Sequence, residues 1–370
     1  MGVATPPLIH SVFSTFKVGG PQRRFAAFAN HFGNQFRHLI TATDDSYDAQ
    51  ALLDSTLDAK RLQFPESKQG LVTSYPAARR LLKTWKPDVL VTNNWGAIEW
   101  AAANVPKLVR HVHIEDGFGP DESERQMPRR VWFRRMALTW HSTVILPSQT
   151  LYSIARDVWR LPKSRLVYVP NGIACDKYRA APDAALVGRI LGRGPIIGTI
   201  AALRPEKALD RLIRAFQIVR AQRPARLAIV GEGRERQGLE QLVHAHGLSS
   251  DVTFIGHLDR PEMILGAFDI FALSSNTEQM PLTVLEAMAA GLPVAGVGVG
   301  DVRTMVSQTN RPYIVDRTDE ALAGAINALL DAPEQAKGIG ADNQAHVKSE
   351  YDQYKMFDAY ERLLRGAPLT

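Results

Sequence analysis

Short apolar runs alternate with longer amphipathic stretches along nearly all of the 370 residues, and this alternation constrains the fold more than any single motif. The runs at 7–13, 89–92, 108–112, 143–146, 166–168, 196–200, 227–230, 252–254, 270–272 and 293–297 have the length and boundaries of strands. Between them, residues 208–221 place Leu209, Leu212, Ile213, Phe216 and Val219 on one helical face. Strand–helix alternation of this kind predicts α/β architecture, with parallel sheets built from right-handed βαβ units. The chain is longer than a single core usually serves, so two domains are expected. A turn-prone stretch at 180–194, followed by a fresh strand, marks the boundary. Residues 1–185 and 186–346 are then the two domains, and 347–370 a closing helix. That helix, read over 345–364 with Tyr351, Tyr354, Phe357 and Tyr360, packs on its own domain or crosses back onto the first.

Composition excludes several classes. An apolar share of 45% with 22% charged residues is that of a globular chain, not a disordered one. The net charge of +6 favours anionic partners: nucleotide phosphates, nucleic acid or an anionic membrane face. One cysteine, Cys175, excludes an internal disulfide framework and fits a reducing cytoplasm. No 18 uncharged apolar residues run together; the longest candidate, 287–300, is interrupted by Gly and Pro. Residues 1–13 lack the basic start of a signal peptide, and Pro6 breaks the myristoylation pattern. A soluble protein, at most peripheral to a membrane, is expected.

In open parallel sheets, ligands bind beyond the carboxyl ends of the strands, so the residues there are the candidates for chemistry. After the first strand come Gly19 and Gly20, which let a backbone approach a phosphate at a helix start, although a plain βα turn would look the same. His113, Glu115 and Asp116 follow the run at 108–112, with Gly117 and Gly119 tightening the loop. A histidine and two carboxylates at one strand end can orient hydroxyls or move a proton. His111 reads better as a satisfied structural histidine. No second His or Cys set has metal-ligand spacing, so no metal site is expected.

The segment from Arg125 through Arg129, Arg130, Trp132, Phe133, Arg134 and Arg135 interleaves cations with aromatics. It suits phospholipid headgroups or a lipid pyrophosphate, or it is a solvated helix face. No nucleic-acid recognition motif accompanies it. Arg204 and Lys207 flank a helix start after the strand at 196–200, an arrangement that suits a diphosphate. Gly231-Glu-Gly233 lacks the third glycine of a dinucleotide fingerprint in register, which disfavours an NAD enzyme. The most specific string runs from Ser274 to Val294. It places Glu278 and Glu286 eight residues apart around a helix whose first amides belong to Leu282 and Thr283. One carboxylate suits ribose hydroxyls, the other a transferred sugar, and the amides between them a diphosphate.

With these residues in this order, the chain resembles the retaining GT-B glycosyltransferases of family GT4, of the bacterial exopolysaccharide and glycolipid type. Gly19-Gly20, the His113 strand end, Val169-Pro-Asn-Gly-Ile173, Leu203-Arg-Pro-Glu-Lys207, Gly231-Glu-Gly233, Phe254-Ile-Gly256, the run from Asp269 to Ser275 and Glu278-x7-Glu286 carry the resemblance. It implies two Rossmann-like domains facing a central cleft that closes during the cycle, the C-terminal one holding a UDP-sugar or GDP-mannose. The N-terminal one takes a lipid-linked saccharide, with Glu115, Asp116, Arg129 and Arg130 on the acceptor side. By the same resemblance Glu286 is the ribose carboxylate, and Glu278 contacts the donor sugar. Lys207 and Arg204 face the diphosphate together with the backbone of Gly19, Gly20, Leu282 and Thr283, and His113 stands near the reacting centre. No metal and no cofactor are implied, and the setting is the cytoplasmic face of a membrane, with no nucleic acid bound.

The chain departs from the family pattern at Ala202, where an arginine is usual; at Ala208, where glycine is usual; at Gln279 and Met280, which replace Gly-Phe; and at Ala174, which replaces Asp. Competing readings are a GT-B nucleotide-sugar epimerase and a non-catalytic nucleotide-sugar or nucleic-acid binder. A binder would not need His113 and Glu278 to face one cleft.

Overall fold

The computed structural model describes residues 5–64, 71–118, 122 and 126–367. Of the segments named above, residues 1–4, Gly119, Arg125 and 368–370 lie outside the described residues. The chain forms two compact units, one reaching Pro170 and taking in the segment from Phe357 onward, the other running from Asn171 to Met356. The division therefore falls before the turn-prone stretch at 180–194. Ile173, Cys175 and Tyr178 are buried with Met280, Leu285 and Met288, so hydrophobic burial assigns this stretch to the second unit.

The first unit holds strands β1 (Leu8–Phe13), β2 (Arg37–Ala42), β3 (Ala59–Arg61), β4 (Val89–Asn93), β5 (Arg110–Ile114), β6 (Ser142–Leu146) and β7 (Leu166–Tyr168). They are parallel and lie in the order β3-β2-β1-β4-β5-β6-β7. Helices α1 (Gly20–Phe32), α2 (Leu71–Trp85), α3 (Ile98–Ala103), α4 (Pro128–Leu138) and α5 (Gln149–Asp157) connect them.

The second unit opens with a 3-10 turn at Cys175–Arg179 and the single turn α6 (Ala184–Val187), and builds its sheet from β8 (Ile196–Ile200), β9 (Arg226–Val230), β10 (Val252–Gly256), β11 (Ile270–Leu273), β12 (Val294–Val297) and β13 (Ile314–Val315). These strands are also parallel, in the order β10-β9-β8-β11-β12-β13. The connecting helices are α7 (Leu209–Arg220), α8 (Arg236–Ala245), α9 (Glu262–Leu265), α10 (Leu282–Ala289), α11 (Val302–Met305), α12 (Asp319–Asp331) and α13 (Pro333–Glu350). In α7 the stripe Leu209, Leu212, Ile213, Phe216 and Val219 is buried, as its spacing requires.

In both sheets the strand order reverses beside the first strand, with β1 between β2 and β4 and β8 between β9 and β11. The crevice at such a reversal is where open α/β sheets bind ligands. The loops after β1, β4 and β5 in one unit, and after β8 and β11 in the other, are therefore the ones that matter.

Three strands, β2, β3 and β13, are not evident from apolar patterning. β2 carries Arg37, His38 and Thr41, β3 is an edge strand reading Ala-Lys-Arg, and β13 has two residues. The strand read at 108–112 lies instead at Arg110–Ile114. The amides of Leu108 and Val109 are held at 3.0 Å by the Asn104 side-chain oxygen, which keeps them in a turn. The closing helix is two helices: α13 ends at Glu350, Asp352 bridges to Ile173, and α14 (Gln353–Arg365) follows. Its Phe357 and Tyr360 rings pack against Phe28 of α1.

Candidate functional site

In the second unit, the loop after β8 delivers Lys207 to the loop after β11. Lys207 Nζ lies 2.6 Å from Glu278 Oε1, which also accepts a hydrogen bond from the Ser275 hydroxyl at 2.7 Å. The two loops are tied by their backbones: the Asn276 amide donates to the Glu206 carbonyl, and the Ser274 hydroxyl to the Lys207 carbonyl. Four residues after Glu278, α10 starts at Leu282 with Pro281 before it and no side chain capping its amides. Leu282 and Thr283 thus begin a helix whose first N–H groups favour an anion. Glu286, one turn further on, accepts a hydrogen bond from the Tyr178 hydroxyl at 3.0 Å.

Arg204 stands apart from this pair. Its guanidinium is 63% exposed and 3.9 Å from Glu206, so only a loose contact holds it. The helix it was expected to flank starts late: residues Pro205–Lys207 form a 3-10 turn, Ala208 is left-handed at φ 45°, and α7 begins at Leu209. The left-handed conformation explains why glycine is the usual residue there and why Ala208 carries strain.

Close backbone packing accounts for the neighbouring glycines. A side chain on Gly231, at φ 136°, would meet the Ala201 carbonyl, and one on Gly233 would meet that of Leu203. These glycines seat the β9 loop on the β8 loop rather than opening a dinucleotide site. At Gly300, φ is 51° and an added Cβ would lie 2.2 Å from the Glu278 carbonyl, so this glycine supports the loop that carries Glu278. Met280, at the position of the usual phenylalanine, packs downward, with its sulfur 3.2 Å from the Asn171 amide.

In the first unit, Gly19 precedes α1 in an extended conformation and Gly20 opens the helix, with Pro21 in its first turn. Asp116 is committed: both its oxygens accept from Arg24 of α1, and its amide donates to the Asn94 side chain at 2.7 Å. Burial opposes the charge on Arg24, yet Asp116 more than offsets it and raises the arginine above its ordinary value. Asp116 therefore joins the loops after β4 and β5 to α1.

His113 lies inside β5, fully buried, rather than beyond the strand end. Its Nδ1 is 2.8 Å from the Thr92 hydroxyl, and its Nε2 is 3.6 Å from Glu115 Oε2. Glu115 is equally buried and accepts from Arg134 at 3.3 Å. Arg134 donates in turn to Glu122 and sits among the rings of Trp95, Phe118 and Trp159. Burial opposes the charge of Glu122, but Arg134 and Arg130 outweigh it and hold the carboxyl below its usual range.

The basic segment is consequently not one surface. Arg130 and Arg134, four residues apart, face Glu122 and Trp95, while Arg129 and Arg135 remain exposed beside Trp132, Met136 and Trp140. Tyr178, Ser275, Arg24 and Thr92 hold candidate site residues and were not among those the sequence pointed to. Only Ser275, three positions before Glu278, left a signal there. Among the described residues no three His, Cys, Asp or Glu side chains gather as a metal-binding set, and no helix is long and apolar enough to cross a membrane.

Two family models match the chain: a glycosyl transferase 4-like domain over residues 19–172 and glycosyl transferases group 1 over residues 188–346. A GDP-mannose-dependent monoacylated alpha-(1-6)-phosphatidylinositol monomannoside mannosyltransferase of Corynebacterium glutamicum is 27% identical over 95% of this chain and 96% of its own length. The 2-deoxystreptamine N-acetyl-D-glucosaminyltransferase of Streptomyces fradiae is 27% identical over 72% of this chain and 68% of its own. Among solved structures, Anabaena HepE in complex with UDP superposes with a TM-score of 0.81 at 17% identity, over 97% of this chain and 99% of that one.

Proposed function

The chain belongs to the GT4 glycosyltransferases and has the GT-B fold, and from that premise we propose that it moves a hexose, with retention and without a metal, from a UDP-sugar or GDP-mannose to a lipid-linked saccharide. The observation that carries this reading is the contact of Lys207 with Glu278 at 2.6 Å beside the uncapped start of α10. A cation suited to a diphosphate and a carboxylate suited to sugar hydroxyls hold each other in place. A donor would part them, the lysine turning to phosphate and the carboxylate to the sugar.

Glu286, oriented by Tyr178, takes the ribose. Lys207, Arg204 and the amides of Leu282 and Thr283 offset the charge that grows on the leaving diphosphate. The bond from sugar C1 to the diphosphate oxygen breaks as the acceptor oxygen bonds to C1. The acceptor proton passes to the leaving phosphate oxygen, so no side-chain nucleophile is required. Gly19 and Gly20, opening α1, offer a backbone suited to phosphate, and the first unit receives the acceptor near His113, Glu115 and Asp116, the last acting through Arg24.

The acceptor is set at a membrane surface by Arg129 and the exposed stripe of Trp132, Met136 and Trp140, with Arg130 anchoring α4 from within. On this reading the protein works at the cytoplasmic face of a membrane, in the assembly of a cell-surface glycolipid or polysaccharide. The Corynebacterium glutamicum relative acts, by its name, on a phosphatidylinositol monomannoside with GDP-mannose, which supports a lipid acceptor and puts GDP-mannose first among donors.

The test is nucleotide release from UDP-glucose, UDP-galactose, UDP-glucuronate, UDP-N-acetylglucosamine and GDP-mannose in EDTA, with and without a membrane extract. Turnover of one donor, stimulated by the extract and lost in Glu278→Ala, is the expected result. Turnover that requires a divalent metal, or that survives in Glu278→Ala, overturns the reading.

A further inference from the structure

Four buried side chains of the first unit form a continuous line across β4, β5 and β6. Ser142 Oγ is 2.7 Å from His111 Nδ1, His111 Nε2 is 2.8 Å from Thr92 Oγ1, and Thr92 Oγ1 is 2.8 Å from His113 Nδ1. The register builds this line. Thr92 pairs with His113 and Ser142 with His111, while His111 and His113 are two residues apart on the same face of β5. All four residues are essentially inaccessible to water.

Hydrogen counting gives the line a direction. A threonine hydroxyl carries one proton, and a neutral imidazole has one donor and one acceptor nitrogen. If both histidines donated to Thr92, its own proton would have no acceptor among the described contacts. One histidine therefore donates to Thr92, and the other accepts from it.

The choice between them is made at the far end. His113 Nε2 faces Glu115 Oε2 at 3.6 Å, and Arg134 holds that carboxylate. A lone pair on Nε2 would point at negative charge in a dry interior, whereas an N–H there is attracted to it. The same direction lets the Ser142 hydroxyl donate to His111 Nδ1, while the opposite one would leave the serine proton without that acceptor. Burial, reinforced by His113, lowers the pKa of His111 to about 3 and keeps it a neutral link.

We infer that Ser142, His111 and Thr92 act as positioning residues that fix His113 in its Nε2–H tautomer, so that this histidine meets its ligand as a hydrogen-bond donor and not as a base. This rests on the reading of His113 as a group near the reacting centre. It narrows the role: an N–H suits a sugar or phosphate oxygen and cannot accept the acceptor's proton. Leaving that proton to the diphosphate oxygen is consistent with such an assignment.

The experiment is long-range 1H–15N correlation of the histidine rings in the 370-residue chain labelled at its 10 histidines. Signals are assigned with His111→Gln and His113→Gln. At pH 7 both rings are expected as Nε2–H, with Nδ1 unprotonated. Thr92→Val is expected to release His113 from that state and to lower turnover about tenfold with the donor KM unchanged. Thr92→Ser, which keeps the hydroxyl, is expected to restore both. His113 found as Nδ1–H in the wild type, or unchanged in Thr92→Val, overturns the inference. The tautomer is read without turnover, so a failure of this inference and a failure of the proposed activity are told apart.

Discussion

At the scale of single residues, the donor site proposed in the second unit divides the work between groups expected to meet the donor and groups expected to hold them. Lys207 is proposed for the first kind, and on that reading Lys207→Ala removes a charge-assisted contact worth roughly 2 kcal/mol. Donor affinity, measured by calorimetric titration with the nucleotide diphosphate, is expected to fall about thirtyfold. An unchanged affinity would separate Lys207 from the diphosphate. Tyr178 belongs to the second kind, its hydroxyl donating to Glu286 at 3.0 Å. Tyr178→Phe is expected to raise the donor KM a few-fold, in line with about 1 kcal/mol for one hydrogen bond, and to leave kcat close to wild type. Gly300 is a subtler case. With φ at 51° and the Glu278 carbonyl in the path of any Cβ, Gly300→Ala must push the β11 loop aside. Its kcat/KM is expected to drop at least tenfold while the Trp fluorescence of the other unit stays unchanged, because a small misplacement of the carboxylate proposed to bind the sugar would be costly. The same arithmetic at Ala208, left-handed at φ 45°, predicts that Ala208→Gly is tolerated.

Elements explain which of these features a sequence reveals. The strand ends of the second unit could be read because each motif follows an apolar run directly, and the parallel topology then brings those ends together. His113 shows where such reading stops. Leu108 and Val109 have the apolar character of strand residues, but Asn104 binds their amides. The strand shifts by two positions, and the histidine becomes an interior residue. Helix α4 shows the other limit. Its arginines are chemically identical in sequence, and only the side contacted by Trp95, Glu122 and Trp159 distinguishes Arg134, buried, from Arg129 and Arg135, exposed. The outward face then reads Arg129, Trp132, Arg135 and Met136, continued by Trp140 in the turn just past the helix, with Trp132, Met136 and Trp140 exposed at 62%, 41% and 66%. Aromatic side chains with cations beside them suit a bilayer interface. Co-sedimentation with anionic vesicles should separate the two contributions. Arg129→Gln with Arg135→Gln is expected to weaken binding roughly thirtyfold at low salt, about 1 kcal/mol per charge. Trp132→Ser with Trp140→Ser is expected to remove the part that survives high salt. Vesicle binding untouched by both pairs would exclude α4 as the contact.

At the scale of the whole molecule, the two units differ in how they store ionisable groups, and this sets how the protein responds to acid. His10, His38 and His111 all lie in the first unit, and burial lowers their pKa values to about 3, about 4 and about 3. Asp58 opposes the shift at His38, and His113 adds to it at His111. Each is neutral when folded, while the unfolded chain takes up a proton at the ordinary value of about 6.5. The unfolded state therefore binds more protons between these values. The stability these residues contribute is fully present above pH 6.5 and is lost as the pH falls towards their folded values of about 3 to 4. Each loses roughly 2 kcal/mol between pH 7 and pH 5, so the first unit stands to lose on the order of 5 kcal/mol. In the second unit His346 is shifted in the same direction, again chiefly by burial, but Glu350 opposes it. Acid should therefore unfold the first unit first. All six tryptophans, at 85, 95, 100, 132, 140 and 159, belong to that unit, so their fluorescence reports on it alone. The midpoint of a tryptophan-detected thermal melt is expected to fall steeply from pH 7 to pH 5, while far-ultraviolet circular dichroism retains a second, higher transition. His38→Leu should flatten the pH dependence of the first transition by about a third, since it removes one of the three protonations. If the tryptophan midpoint were the same at pH 7 and pH 5, the buried histidines would not be neutral residents of the folded core. The Nε2–H assignment at His113, which depends on a neutral His111, would fall with them.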